Sequence, residues 1–461
     1  MSEQDDHVIY RVLVFGRDGS EILLTRSHAS VQFPEVTIPR WERMTENVTS
    51  AVERQWGEEV VCLFDLNSEP GNNSSYVVAR HWRASGACAS PLHWIPVKDL
   101  SADSFDDPGD YAVMQESLAR CRISVRDSDE DPFARLGWLE QLCEWVGQSI
   151  APRGIHLTGK FRQLNASPTF SLIRFETNGP AVWFKAVGEP NRHEFRMTLK
   201  LAELFPNFLP EIIRERPEWN AWLSFEAKGR ELCETSDVNL WETAAALLGQ
   251  LQVESVEKSR DISCAVARTL KTDELAPVAC PFFDVMRPLM KRQTKVLPSI
   301  LTDQELSDLE ERVLDGLARL RDLEIPNALG HLDPNPGNII VSSRSCVFLD
   351  WAEAYVGNPL FSFQYLLEHA RRVFAADSDA KDRLVRAYAE RWKSRLSPAV
   401  VGEALKLSPL LAAFAFAAGN PAWRNEERLA DRATAGYMRS LTRRMHREAN
   451  ELSKRRPLCL C

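Results

Sequence analysis

One stretch near residue 340 constrains the fold more than any other part of the sequence. It opens with a His-x-Asp triplet ending at Asp333, passes through a loop containing proline and glycine to Asn338, and reaches Asp350 after two apolar runs, 339–341 and 347–349. Short apolar runs around a serine-rich turn predict a β-hairpin. Because one strand leaves and the other returns, we expect Asp350 to lie at the same end of the hairpin as Asn338.

The residue types at these positions suit phosphate and metal chemistry. Asp333, Asn338 and Asp350 carry side-chain oxygens, which Mg²⁺ prefers, and Mg²⁺ takes few protein ligands because it keeps water and phosphate in its shell. The order H-x-D-x-x-x-x-N, followed by an aspartate, matches the phosphoryl-transfer template. His331 supplies the histidine. Spacing alone leaves an alternative open, namely a capped turn with solvated polar side chains.

The stretch resembles the aminoglycoside phosphotransferase family, the small-molecule branch of the protein-kinase-like fold. The resemblance rests on the H-x-D-x-x-x-x-N pattern, the apolar strand pair and the Asp-Trp step that follows, and it extends over residues 133–450. It implies ATP and Mg²⁺ as cofactors, with Asp333 as the catalytic base. It also implies Asn338 and Asp350 as magnesium ligands, and His331 as a support of the loop.

Residues upstream of this stretch fit the same template. A kinase holds the α- and β-phosphates with a lysine on its third strand, and a carboxylate on the next helix orients that lysine. Lys185 lies on the β-rich run 182–185, and Glu194 enters an expected helix. A lone lysine on a strand and a lone glutamate on a helix are more often solvated, and Glu189 and His193 are nearby competitors for the second role.

Two further segments are expected to bind the nucleotide. The loop 165–169 has no glycine and contains a proline, unlike the Gly-rich loop of protein kinases, so a hydroxyl of Ser167 or Thr169 is expected to contact a phosphate. The run that ends at Glu226 and Ala227 resembles the hinge between kinase lobes, where backbone groups would meet adenine. Both segments are therefore candidate cofactor-binding sites.

Two positions near these motifs depend on the resemblance. Gly229 predicts a turn into a helical lobe. Ser362 departs from the family pattern, which usually has an aspartate at this place after Gly-x-Pro. We expect the missing acid to affect structure more than chemistry.

Beyond about residue 230 the sequence predicts helix almost throughout, with one strand-rich interruption at 339–349. Thr302 and Glu305 form a capping box that begins a helix with one apolar stripe, and Pro326 ends it. The helices of the insertion 253–326 and those near the C-terminus are expected to build the acceptor pocket.

The N-terminal residues predict a small α/β domain, because two β-rich runs flank the hairpin signal Asp18-Gly19. The segment 38–62 resembles the Nudix box, a loop–helix–loop that gathers glutamates around Mg²⁺. Its matching positions are Glu46, Arg54, Trp56, Glu58 and Glu59. Three positions of the box do not match: Arg40 and Val61 replace glycines, and Gln55 replaces a glutamate. These mismatches indicate a catalytically degenerate domain. An amphipathic helix with surface charge is the alternative.

The fold class predicted from these patterns is α/β plus α+β, a Nudix-like α/β sandwich followed by a bilobal kinase-like domain. The expected segments are a Nudix-like domain, an acidic linker, a small β-rich N-lobe, a large helical C-lobe and a basic tail: 1–122, 123–132, 133–228, 229–452 and 453–461.

Composition limits the partners. The chain of 461 residues has a net charge of −9, which argues against a nucleic-acid binder held by phosphate contacts. The longest apolar run, 410–418, is about half the roughly 20 residues that a membrane span requires, so it predicts a buried helix and no membrane association. The acidic N-terminus does not resemble a secretory signal, and ten singly scattered cysteines indicate a reduced, cytoplasmic protein whose cysteines lie in the core.

The sequence therefore predicts an ATP-dependent phosphotransferase that acts on a hydroxyl of a small molecule. Two alternatives remain from the sequence alone. One is a nucleotide-binding regulator without catalysis, which the missing loop glycines favour. The other is diphosphate hydrolysis by the Nudix-like segment.

Overall fold

A computed structural model of the chain describes most residues: 7–27, 30–66, 74–84, 91–122, 131–263, 268–377 and 379–452. Most of the predicted linker and the whole predicted tail lie outside these ranges. The chain divides into two compact units. The first comprises the residues up to Phe195 together with Glu211–Glu226, and the second comprises Arg196–Pro210 together with the residues from Ala227 onward.

A mixed sheet forms the N-terminal part of the first unit. Its strands are β1 (His7–Phe15), β2 (Glu21–Ser27), β3 (Ser30–Gln32), β4 (Glu35–Pro39), β5 (Glu58–Leu66), β6 (Ser74–Ala84) and β7 (Leu92–Pro96). The order is β3-β2-β1-β6-β5, with β4 beside β1 and β7 beside β2. β1 and β6 are parallel, and the other pairs are antiparallel. The turn with Gly19, at φ 72°, joins β1 to β2, so the predicted hairpin is confirmed.

Helices cover both faces of this sheet. The helix α1 (Met44–Trp56) packs on one face through apolar residues such as Val48 and Val52. The helix α2 (Pro108–Cys121) packs on the other face through Met114 and Leu118. The alternation of buried side chains along β1, with Val12 and Val14 in one core and Leu13 and Phe15 in the other, fits the two-residue period of a strand. The segment thus has the layered α/β arrangement expected of it.

A second, antiparallel sheet completes the first unit. Its strands are β8 (Leu157–Ala166), β9 (Ser171–Thr177), β10 (Val182–Ala186), β11 (Ile212–Arg216) and β12 (Ala221–Phe225), in the order β11-β12-β10-β9-β8. The helix α3 (Trp138–Ile150) precedes it. The residues from Pro132 to Gly137 form turns and bends before this helix begins. Phe133 is still buried, so its apolar character reflects the core and not the helix.

The two sheets of the first unit share one hydrophobic core. Phe15 and Leu24 of the first sheet belong to the same buried cluster as Ile173 and Phe184 of the second. The edge strand β5 is also bonded to β8: the Gln163 amide accepts from the Cys62 N–H and donates to the Cys62 carbonyl, both at 2.9 Å. Gln163 is buried, so this side chain satisfies backbone groups that an edge strand would otherwise leave open.

The second unit is mostly helical. Its helices are α4 (His193–Leu204, whose first residues belong to the first unit), α5 (Val238–Ser255), α6 (Ser259–Ser263), α7 (Thr272–Lys291), α8 (Asp303–Asp322), α9 (Leu360–Val373), α10 (Ala380–Trp392), α11 (Pro398–Gly419), α12 (Glu426–Ala430) and α13 (Arg432–Leu452). The predicted capping box of α8 is confirmed, since Thr302 Oγ1 accepts from the Glu305 N–H and Glu305 Oε2 accepts from the Thr302 N–H. A β-rich first part followed by a helical second part confirms the predicted mixed class and is consistent with a kinase-like fold.

The helix α11 is the centre of this unit. It is buried along most of its length and packs against α7, α8, α9 and α13. Among the described helices, it alone is long and apolar enough to cross a membrane by length and composition, and 72% of its most apolar window is buried. The burial agrees with the prediction of a core helix at 410–418.

Short strands interrupt the helices more often than the sequence predicts. The hairpin β16 (Ile339–Val341) and β17 (Cys346–Phe348) was expected. Four others were not: β13 (Arg230–Glu231), β14 (Thr269–Leu270), β15 (Ala328–His331) and β18 (Ala354–Gly357). β13 extends the hairpin, and the other three form a small sheet in the order β14-β18-β15. Strands of two to four residues are too short to show the alternation by which strands are recognised in a sequence.

The described cysteines differ in burial, although the sequence predicted that they lie in the core. Cys62, Cys121 and Cys346 are buried, and burial raises the pKa of the Cys62 thiol to about 12. Cys233 and Cys280, in contrast, are exposed. The assignment of the cysteines to the core is therefore wrong for these two.

Candidate phosphotransfer site

The small sheet of the second unit positions the loop that carries Asp333. In β15 and β18, Gly330 pairs with Tyr355, and a Cβ added at Gly330 would lie 1.9 Å from the Tyr355 ring. Glycine is therefore required for the close approach of these strands. β15 ends at His331, and Asp333 follows two residues later with an exposed side chain. The loop thus leaves a buried strand and presents its carboxylate to solvent.

His331 ties the two ends of the candidate site together. Its side chain is buried, its Nδ1 accepts from the Asp333 N–H at 3.1 Å, and its Nε2 lies 3.0 Å from the Leu349 carbonyl oxygen. Because Nδ1 accepts, we assign the ring proton to Nε2, which donates to that carbonyl. Trp351 packs on the ring with a centroid separation of 4.9 Å. A single neutral imidazole therefore joins the Asp333 loop to the residue before Asp350.

The hairpin places Asn338 and Asp350 beside each other along the backbone. The Leu349 N–H donates to the Asn338 carbonyl at 2.8 Å, and Asn338 Nδ2 donates to the Asp333 carbonyl at 3.3 Å. Asp350 has φ 61°, a left-handed conformation that is uncommon for a residue other than glycine and that clusters at functional sites. The hydrogen-bonded backbone that links the three predicted residues supports the geometric expectation drawn from the hairpin.

Ser362 supports the Asp333 loop through buried hydrogen bonds. Its hydroxyl accepts from the His331 N–H at 2.7 Å and lies 3.1 Å from the Tyr355 hydroxyl, which donates to the Asn358 carbonyl at 2.8 Å. Ser362 is completely buried. A neutral hydroxyl can thus accept the backbone bond at a position where the resembling family usually has a carboxylate. The departure at Ser362 therefore does not leave the His331 N–H unbonded.

His369 is a neighbour of Asp333 that sequence patterns did not reveal. It lies on α9, half-buried, and its pKa is lowered from its usual value by burial and then by the charge of Arg372, while the charge of Asp333 opposes the shift. The His369 imidazole, whose pKa is lowered, is thus a polar group near Asp333 that a bound acceptor substrate can contact. No local motif marks it, because its placement depends on how α9 packs.

The donor set of the loop fits Mg²⁺. Asn338 offers an amide oxygen and Asp350 an exposed carboxylate, both hard ligands of the kind that Mg²⁺ takes in small numbers. Among the residues that the structure describes, no group of three or more His, Cys, Asp and Glu side chains could hold a metal. A magnesium ion with few protein ligands is compatible with that finding.

In the first unit, Lys185 and Glu194 form an ion pair. Lys185 lies on β10, a central strand of its sheet, and its Nζ is 2.6 Å from Glu194 Oε1 at the start of α4. The side chains are 16% and 2% exposed, so this pair is shielded from water. The Lys185 Nζ also lies 5.7 Å from the centre of the Trp222 ring, on the neighbouring strand β12. The structure thus brings together the two residues that the sequence singled out.

The turn between β8 and β9 holds the predicted phosphate-binding hydroxyls. Ser167 Oγ accepts from the Phe170 N–H at 2.9 Å, and its own proton can still be donated to a ligand. Thr169 packs closely on Gly188, where an added Cβ would lie 2.2 Å from Thr169 Oγ1. The Pro168 carbonyl accepts from the Phe133 N–H at 3.1 Å. The turn is therefore fixed by hydrogen bonds in place of the flexible glycines of protein kinases.

The predicted hinge lies where the chain passes from one unit to the other. Glu226 is the last residue of the first unit, and Ala227 begins the second segment of the other. The Glu226 N–H donates to the Ala181 carbonyl at 2.9 Å, so adenine would have to replace that bond to use this N–H. The carboxylate of Glu226 accepts from Arg174 at 2.6 and 3.1 Å, and the Arg174 hydrogen bonds lower the pKa of this carboxyl.

Gly229 makes the turn that was expected of it. Its φ is 144°, and an added Cβ would lie 2.6 Å from the Val341 carbonyl oxygen. Only glycine fits such a conformation without strain, so the chain enters β13 beside the hairpin through this residue.

The acids of the Nudix-like segment are not gathered at one point. α1 ends at Trp56, so Glu58 and Glu59 lie on β5, whereas Glu46 lies in the first turn of the helix. Each acid lies beside a basic side chain: Glu46 beside Arg162, Glu58 beside His81 at 2.9 Å, and Glu59 beside Arg83 at 2.5 Å. The expected cluster of glutamates around Mg²⁺ is therefore not formed. Whether the domain is a relative of Nudix proteins stays a prediction.

Comparison with known proteins finds one family model that matches part of the chain. Residues 196–400, less than half of the chain, match the model of the phosphotransferase enzyme family. The matched range includes Asp333, Asn338 and Asp350, and it begins just after Glu194. No curated protein sequence matches the chain.

Solved structures similar to the chain are small-molecule kinases and phosphotransferases. A choline kinase from Cryptosporidium parvum is 11% identical, with a TM-score of 0.47, and the similarity covers 68% of this chain and 96% of that one. A choline/ethanolamine kinase family protein from Mesorhizobium loti is 16% identical, with a TM-score of 0.43, covering 68% and 99%. A macrolide 2′-phosphotransferase type I is 16% identical, with a TM-score of 0.42, covering 66% and 97%. Similarities this distant do not assign a substrate.

Proposed function

We propose that this protein is an ATP-dependent phosphotransferase that transfers the γ-phosphate of ATP to a hydroxyl group of a small molecule. The observation that carries the proposal is the network in which buried His331 joins the Asp333 loop to the strand before Asp350. Such a network fixes the backbone that carries a candidate base and two candidate metal ligands. The family match over the same residues supports the proposal independently.

In the proposed reaction each residue has a definite task. Asp333 accepts a hydrogen bond from the acceptor hydroxyl and takes its proton as the new O–P bond forms and the bond to the departing ADP oxygen breaks. Lys185, oriented by Glu194, holds the α- and β-phosphates. Asn338 and Asp350 hold Mg²⁺, which supplies positive charge to the phosphates when it is bound. The protein mainly positions the reactants, and positioning is worth several orders of magnitude in rate.

The other proposed roles are supporting ones. Ser167 and Thr169 are proposed to contact phosphate oxygens from the β8–β9 turn, and the backbone at Glu226 and Ala227 is proposed to contact adenine. The partner is a small-molecule acceptor, and we propose a cytoplasmic location without nucleic-acid or membrane partners.

Substitution of Asp333 tests the proposed function. ADP formation is measured with Mg-ATP and a pooled panel of hydroxyl-bearing metabolites and antibiotics, and nucleotide binding is measured by thermal shift. We expect Asp333→Ala to lower transfer by about 10³-fold or more while the Mg-ATP shift persists, because the base contributes to the reaction and not to nucleotide binding. The matched control is Asp322→Asn, an exposed aspartate at the end of α8.

Full transfer by Asp333→Ala would defeat the assignment of the base. A Mg-ATP shift without ADP formation from any member of the panel would favour the non-catalytic regulator instead.

A further inference from the structure

A cavity of about 1060 Å³ lies in the second unit, between α13 and the segment that follows α7. Cationic side chains dominate its lining: Arg292, Lys295, Arg432, Arg439, Arg443 and Arg447. Among the described residues that line it, Asp431 is the one carboxylate. The chain as a whole has 65 Asp and Glu against 56 Lys and Arg, so this concentration of positive charge opposes the overall balance.

The spacing of the arginines on α13 carries an energetic cost. Arg439, Arg443 and Arg447 follow one another at four-residue intervals, so they lie along one face of the helix. Like charges at this interval destabilise a helix. Within the part of the chain that the structure describes, none of the six cations lies within ion-pair distance of a carboxylate. Among the described residues, no ion pair with these six side chains offsets the repulsion.

The wall of the cavity is held by neutral groups. Arg443 Nε donates to the Ser299 carbonyl at 3.0 Å, and its guanidinium also contacts the Gln293 side-chain oxygen. The Gln293 amide donates to the carbonyls of Lys295 and Pro298, both at 2.7 Å. These bonds fix the shape of the segment after α7 but leave the charge of Arg443 uncompensated. A rigid cavity with its charge preserved is what an anion-binding site requires.

The single carboxylate of the lining is already engaged. Asp431 accepts from the Thr434 N–H at 2.7 Å at the start of α13, and hydrogen bonds from backbone N–H groups of this helix lower the pKa of its carboxyl. Its negative charge is directed at the N-terminus of the helix, where a helix dipole favours an anion.

We propose that this cavity binds a small molecule that carries two or more phosphate groups. Arginine forks match phosphate oxygens in a bidentate manner, and a concave surface of one sign concentrates oppositely charged ligands. The volume is at the upper end of the usual range for small-molecule sites, about 300–1000 Å³. Asp333, Asn338 and Asp350 do not line the cavity, so the site is additional to the proposed phosphotransfer site.

Calorimetric titration of the full chain with inorganic tripolyphosphate tests this assignment. EDTA is included so that the metal-dependent nucleotide site contributes little. We expect Arg439→Gln/Arg443→Gln to weaken binding at least tenfold. Arg432→Gln/Arg447→Gln should weaken binding to a similar extent. These two side chains are exposed and make none of the hydrogen bonds that fix the wall of the cavity. This second variant therefore separates the loss of positive charge from a change in the shape of the cavity.

The matched control is Arg260→Gln/Arg321→Gln, which removes two exposed arginines outside the cavity and should change the affinity less than twofold. Absence of binding to the unsubstituted chain would overturn the proposal. Loss of binding in Lys185→Met with full binding in both cavity variants would assign tripolyphosphate to the nucleotide site and would equally overturn it. Binding to vesicles rich in phosphatidylserine without binding to tripolyphosphate would identify a membrane-binding surface instead.

Discussion

Two sets of acidic side chains in this protein have opposite surroundings. Asp333 and Asp350 in the second unit are exposed, and the loop that carries them is held by backbone bonds and by the neutral side chain of His331. Glu46, Glu58 and Glu59 in the first unit each lie beside a basic side chain. The comparison indicates that matching residue types do not make a metal site. The position of the carboxylates also matters, because Asp333 and Asp350 are exposed on one loop-and-hairpin segment, whereas the three glutamates lie on two different elements.

The largest expected effect concerns two ion pairs of the first unit, one buried and one more exposed. Lys185→Met should lower phosphotransfer about 10²-fold and also the free energy of unfolding by about 3–5 kcal/mol, because Glu194 is left buried and unpaired. Arg83→Met, which breaks the exposed pair with Glu59, should change the unfolding free energy by less than about 1 kcal/mol. Activity and chemical denaturation are measured on both.

A double variant separates the two effects of Lys185. Lys185→Met/Glu194→Gln removes both charges, so its stability should recover relative to Lys185→Met, while phosphotransfer should stay low. Recovery of activity together with stability would mean that the pair is only structural.

A smaller effect on the free energy of unfolding is expected from substituting Ser362, whose hydroxyl supports the Asp333 loop. Ser362→Ala leaves the buried His331 N–H without its acceptor, and a buried unsatisfied donor costs about 1–3 kcal/mol. The matched variant is Ser345→Ala in the exposed turn of the hairpin, which should cost less than about 0.5 kcal/mol. Equal stabilities in urea denaturation would show that the loop does not need Ser362.

The smallest effect is a pH dependence at His369. The pKa of this imidazole is lowered in the folded protein, so the unfolded chain binds the proton more readily and stability falls as pH drops below the unfolded value of about 6.5. His369→Gln lacks this contribution. We expect its melting temperature to fall less than that of the unsubstituted chain between pH 7 and pH 5, by about 1–2 °C. Parallel melting curves would contradict the neutral state assigned to His369.

Local patterns predicted the parts of the fold that depend on local interactions. The capping box at Thr302 and the hairpin around residues 342–345 need only a few neighbouring residues, and the structure has both. The pairing of Lys185 with Glu194 was also accessible, because only nine residues separate them and the kinase template fixes their order.

Features assembled from distant segments could not be predicted in this way. His369 approaches Asp333 through the packing of α9, and the cationic cavity joins residues 289–298 to residues 429–447. The strands β14 and β18 pair across more than 80 residues and are too short to have a pattern of their own. The glutamates 46, 58 and 59 matched a known spacing, but a helix that ends at Trp56 placed them on different elements.

The bond between Gln163 and Cys62 has a consequence for how such a protein can evolve. If recombination replaced the first sheet (β1–β7) with an unrelated module, Ile173 and Phe184 would lose the apolar side chains that pack on them. The Gln163 amide would also lose the Cys62 backbone groups to which it is hydrogen-bonded. Substitutions at the contact in one sheet must therefore be matched by substitutions in the other sheet. The segments that encode the two sheets of the first unit can therefore be inherited only together.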